Sequence, residues 1–111
     1  MTEPTPGLTA FATAVGTERQ AQLAKWGDQR HPDGTGQYPE LIDADVARMA
    51  CQQAHRGGYL DWLHILREEV AEAFAETDPG RLRTELVQVA AVCAAWVADI
   101  DSRPSPEDSQ P

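Results

Sequence analysis

Apolar residues recur every three to four positions through most of this chain, and no stretch alternates apolar and polar residues as a strand would. The pattern predicts four helices. A first covers residues 9–26, "TAFATAVGTERQAQLAKW", with Gly16 as a weak point costing about 1 kcal/mol relative to alanine. A long loop, "GDQRHPDGTGQYP", follows, punctuated by glycine and proline. Loops of this length inside a small domain are often functional. A second helix spans 43–56 and stops at "RGG", where Gly57 or Gly58 can take the left-handed cap. Asp61 caps a third, over 62–76; "TDPG" then breaks the pattern, and Asp78 with Pro79 opens a fourth, over 79–101. The expected fold is therefore all-α, a four-helix bundle occupying residues 9–101. The Pro-rich polar ends, 1–8 and 102–111, have nothing to bury and are expected to be disordered.

Each of the last two helices has an apolar arc. On the third it consists of Leu63, Leu66, Val70, Ala73 and Phe74. Glu68 and Glu72 point broadly away from this arc and Glu69 lies at its edge. Glu69 and Glu72 are three apart and so are neighbours, two negative charges that repel unless something positive lies between them. On the fourth helix the arc runs through Leu82, Leu86, Val89, Val92, Cys93, Trp96 and Ile100. Glu85 projects inside it and Gln88 sits on its rim. A buried, unpaired carboxylate costs several kcal/mol, so Glu85 needs a partner. Folding back through the short "TDPG" turn would bring Glu85 towards Glu72 and Glu69. Two readings stand at this point. The glutamates are a solvated face, with Glu85 paired to Arg67, Arg81 or Arg83, or they hold a hard divalent cation.

Composition narrows the field. With 111 residues, 41% of them hydrophobic, the chain suits one modest core. Nine Lys and Arg against eighteen Asp and Glu leave a formal charge of −9, which argues against a nucleic-acid polymer as partner. A small phosphorylated ligand is still compatible, because bound cations reverse the local sign. Cys51 and Cys93 make no metal-binding spacing and read as reduced, small apolar residues. The start "MTEPTPGLTA" has neither the basic opening nor the apolar core of a signal peptide. The run "VAAVCAAWVA" is about half as long as a membrane-spanning helix. A cytoplasmic protein without membrane contact is expected.

"EEVAE", twelve residues and then "ELVQ" resemble the EExxE…ExxD signature of the all-α nucleoside triphosphate pyrophosphohydrolases of the MazG-like superfamily. The similarity runs from about residue 17 to 101. It includes "ERQAQLAKWGDQRHPDG", like the opening of a MazG-like subgroup, and "ELVQVAAVCAAWVADID", like its closing helix. The resemblance implies Mg2+-dependent cleavage of a nucleoside triphosphate between the α and β phosphates, giving a monophosphate and pyrophosphate, with Mn2+ as a substitute ion. It implies a homodimer or homotetramer. Glu69, Glu72 and Glu85 would be metal ligands, and Glu68 a further ligand or the residue that orients the attacking water. Gln88 stands where the family has Asp; it would ligate without charge. That departure keeps open a catalytically inactive interaction protein of the same fold. A relative acting on another nucleotide, such as phosphoribosyl-ATP, is a third reading.

Substrate contacts are sought at Lys25 (phosphate), Trp26 (base stacking) and His31 (base or phosphate), each equally readable as an ordinary surface or core residue. A carboxylate-bridged di-iron bundle wants two Glu-x-x-His units, and only Asp61-x-x-His64 is present. His64 and Glu68 are spaced to pair with each other. Trp62 and Trp96 are expected in the core or at a subunit interface. "HPDGTGQ" lacks the phosphate-cradling GxxxxGK[ST] pattern.

Overall fold

A computed structural model of the chain describes residues 5–104. It is all-helical: α1 (Leu8–Trp26), α2 (Tyr38–Gly57), α3 (Trp62–Ala75) and α4 (Pro79–Ser102), with no strand among the described residues. Most of the two expected tails, residues 1–4 and 105–111, lies outside the described residues.

The helix ends follow the local chemistry. Gly58 closes α2 at φ 78°, its N–H reaching the carbonyls of Ala54 and His55. Asp61 Oδ1 accepts the backbone N–H of His64 at 2.9 Å and starts α3. Asp78 Oδ2 accepts the N–H of Arg81 at 2.9 Å, and Pro79 begins α4. The start of α2 differs from expectation. It begins at Tyr38, not at 43, because Pro39 sits in the first turn, where its missing N–H is no loss. Glu40 beside it suits the positive end of the helix. Gly16 does not interrupt α1.

The chain divides into two compact units, one of Pro32–Cys93 and one of the described residues before and after it. In the first, α2 packs on α3 along a seam of small side chains. Ala44, Ala47 and Ala71 form its buried centre, with Ala75 against them. Ala54, Ala73 and Leu82 are also buried. In the second unit, α1 has no buried residue.

The apolar arc expected on α3 is met in part: Ala73 is buried, and Leu66 and Val70 are half-buried. Leu63 and Phe74, members of the apolar arc, are 64% and 52% exposed. Glu68, Glu69 and Glu72 are half-buried instead. Alanines let the two backbones approach closely, and the side of α3 turned to α2 is the one that carries Ala71, Ala75 and the acids. Apolar side chains too large for such a seam are left outside it. Ile42, Val46 and Met49, at helical spacing on α2, are likewise 46%, 47% and 59% exposed.

The loop before α2 is pinned at its end. The Thr35 hydroxyl donates to the Glu76 carbonyl at 2.6 Å, and the Gly36 N–H donates to the Phe74 carbonyl at 2.8 Å. Gly36 has φ 81°, and a Cβ there would overlap the Thr77 side chain, so both backbone and space require glycine. No helix among the described residues is long and apolar enough to cross a membrane.

Candidate metal centre

Glu69 and Glu72 lie one turn apart on α3, and Glu85 lies on the second turn of α4. One carboxylate oxygen from each falls within 4.8 Å of the other two, close enough for all three to share one cation. All three side chains are half-buried. Glu69 Oε2 and Glu85 Oε2 are shut off from solvent with no hydrogen-bond partner. Such atoms are costly, because each has lost water without gaining a donor.

The electrostatics agree with the geometry. Burial pushes the Glu69 carboxyl above its ordinary value, and the neighbouring charges of Glu72, Glu85 and Glu68 push it further. Burial also raises Glu72, helped by Glu68 and Glu85; only Arg48 pulls it back. Three acids are thus crowded together at a shared expense that a bound cation would relieve.

The pairing of Glu85 with a neighbouring arginine does not occur. Arg81 Nε turns instead to Glu76 Oε1, 3.4 Å away, and Arg67 and Arg83 are exposed. The cation that does reach the cluster comes from α2. Arg48 Nη2 stands 3.5 Å from Glu72 Oε1, while its Nη1 holds Asp45 Oδ1 at 3.1 Å. With Ala44, Glu72, Ala75, Glu76 and Glu85, Arg48 lines a cleft of about 330 Å3.

Glu68, beside Glu69 on α3, accepts a hydrogen bond from the Cys51 thiol of α2. That bond, burial and the surrounding glutamates push the thiol up to about 11, so Cys51 stays protonated at neutral pH. His64 turns back to Asp61, Nδ1 to Oδ1 at 2.6 Å, instead of forward to Glu68.

The chain matches no family model, no curated protein and no solved structure.

The other candidate residues are placed as follows. Gln88 is exposed on α4, three residues beyond Glu85. Lys25, Trp26 and His31 belong to the other compact unit. Trp26 is 62% exposed, so it is not a core residue, and the Lys25 ammonium lies 4.9 Å from the centre of its ring. Trp62 and Trp96 are half-buried. Arg48 and Cys51 were not anticipated. The signal available for both was position on α2 alone: they follow Ala44 and Ala47 along the stripe that ends at Ala54.

Proposed function

We propose that this chain is a Mg2+-dependent nucleotide pyrophosphohydrolase of the MazG-like type. It cleaves a nucleoside triphosphate between the α and β phosphates and releases pyrophosphate. The observation that carries this reading is the convergence of Glu69, Glu72 and Glu85 within 4.8 Å, two of them with a buried oxygen that no protein donor satisfies. The donor set is all carboxylate oxygen, which suits a hard divalent cation. The EExxE and ExxQ elements that supply it are those of the resemblance.

Glu69, Glu72 and Glu85 would hold Mg2+, with Gln88 as an uncharged fourth donor. Bound there, Mg2+ supplies a lowered pKa for a water and charge for the phosphoryl oxygens. The chain's own residues do the rest. The three ligands would bind as carboxylates, and crowding at Glu69 and Glu72 works against the loss of their protons. Glu68, oriented by the Cys51 thiol, has a second oxygen with which to accept a proton from the attacking water.

Exposed Ile42, Val46, Met49 and Phe74 support a homodimer or homotetramer, since covering them would enlarge a core built mostly of alanine. Gln88 favours a second reading, an inactive interaction protein of the same fold. A panel of ribo- and deoxyribonucleoside triphosphates with Mg2+, assayed for pyrophosphate against orthophosphate, separates the two. Pyrophosphate release lost in Glu72→Gln is the expected result; no release from any nucleotide, with a melting midpoint unmoved by millimolar Mg2+ or Mn2+, would favour the inactive protein.

A further inference from the structure

We infer that Arg48 is a phosphate-binding residue of this site, and that a cation taken up by the glutamates would free it from its pairing with Glu72. The inference rests on the cation site proposed above and adds to it the residue that recognises the anionic part of the ligand. Arg48 is the single basic side chain among the six residues lining the cleft; the others are three glutamates and two alanines. Its guanidinium is held at one corner, Nη1 to Asp45 at 3.1 Å on its own helix. At the other corner Nη2 meets Glu72 at 3.5 Å, long for a charge-assisted hydrogen bond. The side chain is 43% exposed, so it has both solvent access and room to turn.

These two contacts respond differently to a cation. Glu72 belongs to the cation cluster and Asp45 does not. An ion held by Glu72 takes up the charge that attracts Nη2 and repels the guanidinium itself. Asp45 keeps its hold on Nη1. Arg48 is then a fork anchored on one side, beside a divalent cation, with donors to spare. A phosphoryl group has the charge to answer both, and its oxygens fit the planar fork of an arginine. Arg48 therefore opposes the first ligand, the cation, and favours the second, the phosphate. An arginine serving only as a brace between α2 and α3 would do neither.

That opposition is the test. Mn2+ binding is measured by electron paramagnetic resonance on the full chain, and inorganic pyrophosphate is then titrated by calorimetry into the Mn2+-saturated protein. The comparison is between wild type, Arg48→Met and Arg48→Lys. In Arg48→Met, Mn2+ should bind at least as tightly as in wild type, while pyrophosphate binds roughly tenfold or more weakly. Arg48→Lys keeps the charge and should lose only part of the pyrophosphate affinity, and a circular dichroism spectrum of each variant checks that it is folded. Equal pyrophosphate affinity in all three proteins would overturn the role of Arg48 and leave the cation site standing. Weakening of Mn2+ and pyrophosphate together, with a lowered melting midpoint, would make Arg48 a brace. A wild type that binds no Mn2+ would remove the cation site and this inference with it.

Discussion

Glu72 and Glu76 lie four residues apart and meet opposite treatment. The Glu76 carboxylate is fully served by its surroundings. Its Oε1 accepts the backbone N–H groups of Thr77 and Asp78, each at 3.1 Å, and faces Arg81 at 3.4 Å. Those donors, led by the Asp78 N–H, hold its carboxyl below the usual range. One turn earlier, Glu72 shares a crowded pocket with Glu69 and Glu85, and two of the three side chains have an oxygen with no donor. The same side chain is thus used in one place to close a turn and in the other to build an acidic cluster in which Arg48 reaches Glu72 while an oxygen of Glu69 and one of Glu85 have no donor. Backbone donors satisfy Glu76 close by, yet none reaches the buried oxygens of Glu69 and Glu85.

The strongest way to break this contrast is through activity. Glu72→Gln should reduce pyrophosphate release on the order of a thousandfold or more, while Glu76→Gln stays within a few-fold of wild type. Equal losses in a nucleotide hydrolysis assay would erase the distinction. Metal comes next. At about a hundred times its dissociation constant, Mg2+ should stabilise the wild type by roughly 2.7 kcal/mol, a shift of several degrees in the melting midpoint. Glu85→Gln should lose most of that shift and Glu76→Gln none of it.

Without metal the signs should reverse. Glu69→Gln removes one of the crowded charges and should raise the midpoint by a few degrees, whereas Glu76→Gln keeps an acceptor oxygen for the turn but loses the charge that strengthens it and should lower the midpoint slightly. The pH dependence follows the same division. Because Glu69 and Glu72 are raised above their ordinary 4.5, the folded chain holds more protons than the unfolded one just above that pH. Metal-free stability should therefore fall as pH rises through 4.5 towards the raised values. The depressed Glu76 and Asp61 act oppositely: their contribution is present above their ordinary values and is lost as acid is added. Melting curves of the wild type and of Glu69→Gln across this range separate the two contributions. The smallest effect is at Cys51. Its alkylation at neutral pH should be slow, and Glu68→Gln should speed it a few-fold by removing the negative charge that disfavours the thiolate.

Much of this was legible in the residues. Asp61, Asp78, Pro79 and Gly58 declare helix ends by local chemistry, and the structure puts the ends there. The meeting of Glu69, Glu72 and Glu85 was legible because it needs only helical spacing on either side of a short turn. What the sequence concealed depends on how one helix rolls against another. Periodicity marked Leu63, Leu66, Val70, Ala73 and Phe74 as the buried side of α3; Ala73 is buried there, but Leu63 and Phe74, at the two ends of the arc, are left exposed. Arg48 and Cys51 meet Glu72 and Glu68 only as a result of that roll, so no spacing along the chain announces them. The early start of α2 was hidden differently, by a proline that reads as a loop until its place in the first turn is known.

The turn between α3 and α4 has a consequence for how the molecule assembles in time. All three cluster glutamates are joined by a stretch of chain that closes locally, and local closures are among the first events of folding. Their mutual repulsion then opposes the hairpin from the start. On the proposed reading, a divalent ion present while the polypeptide is still forming would ease that repulsion and speed the closure.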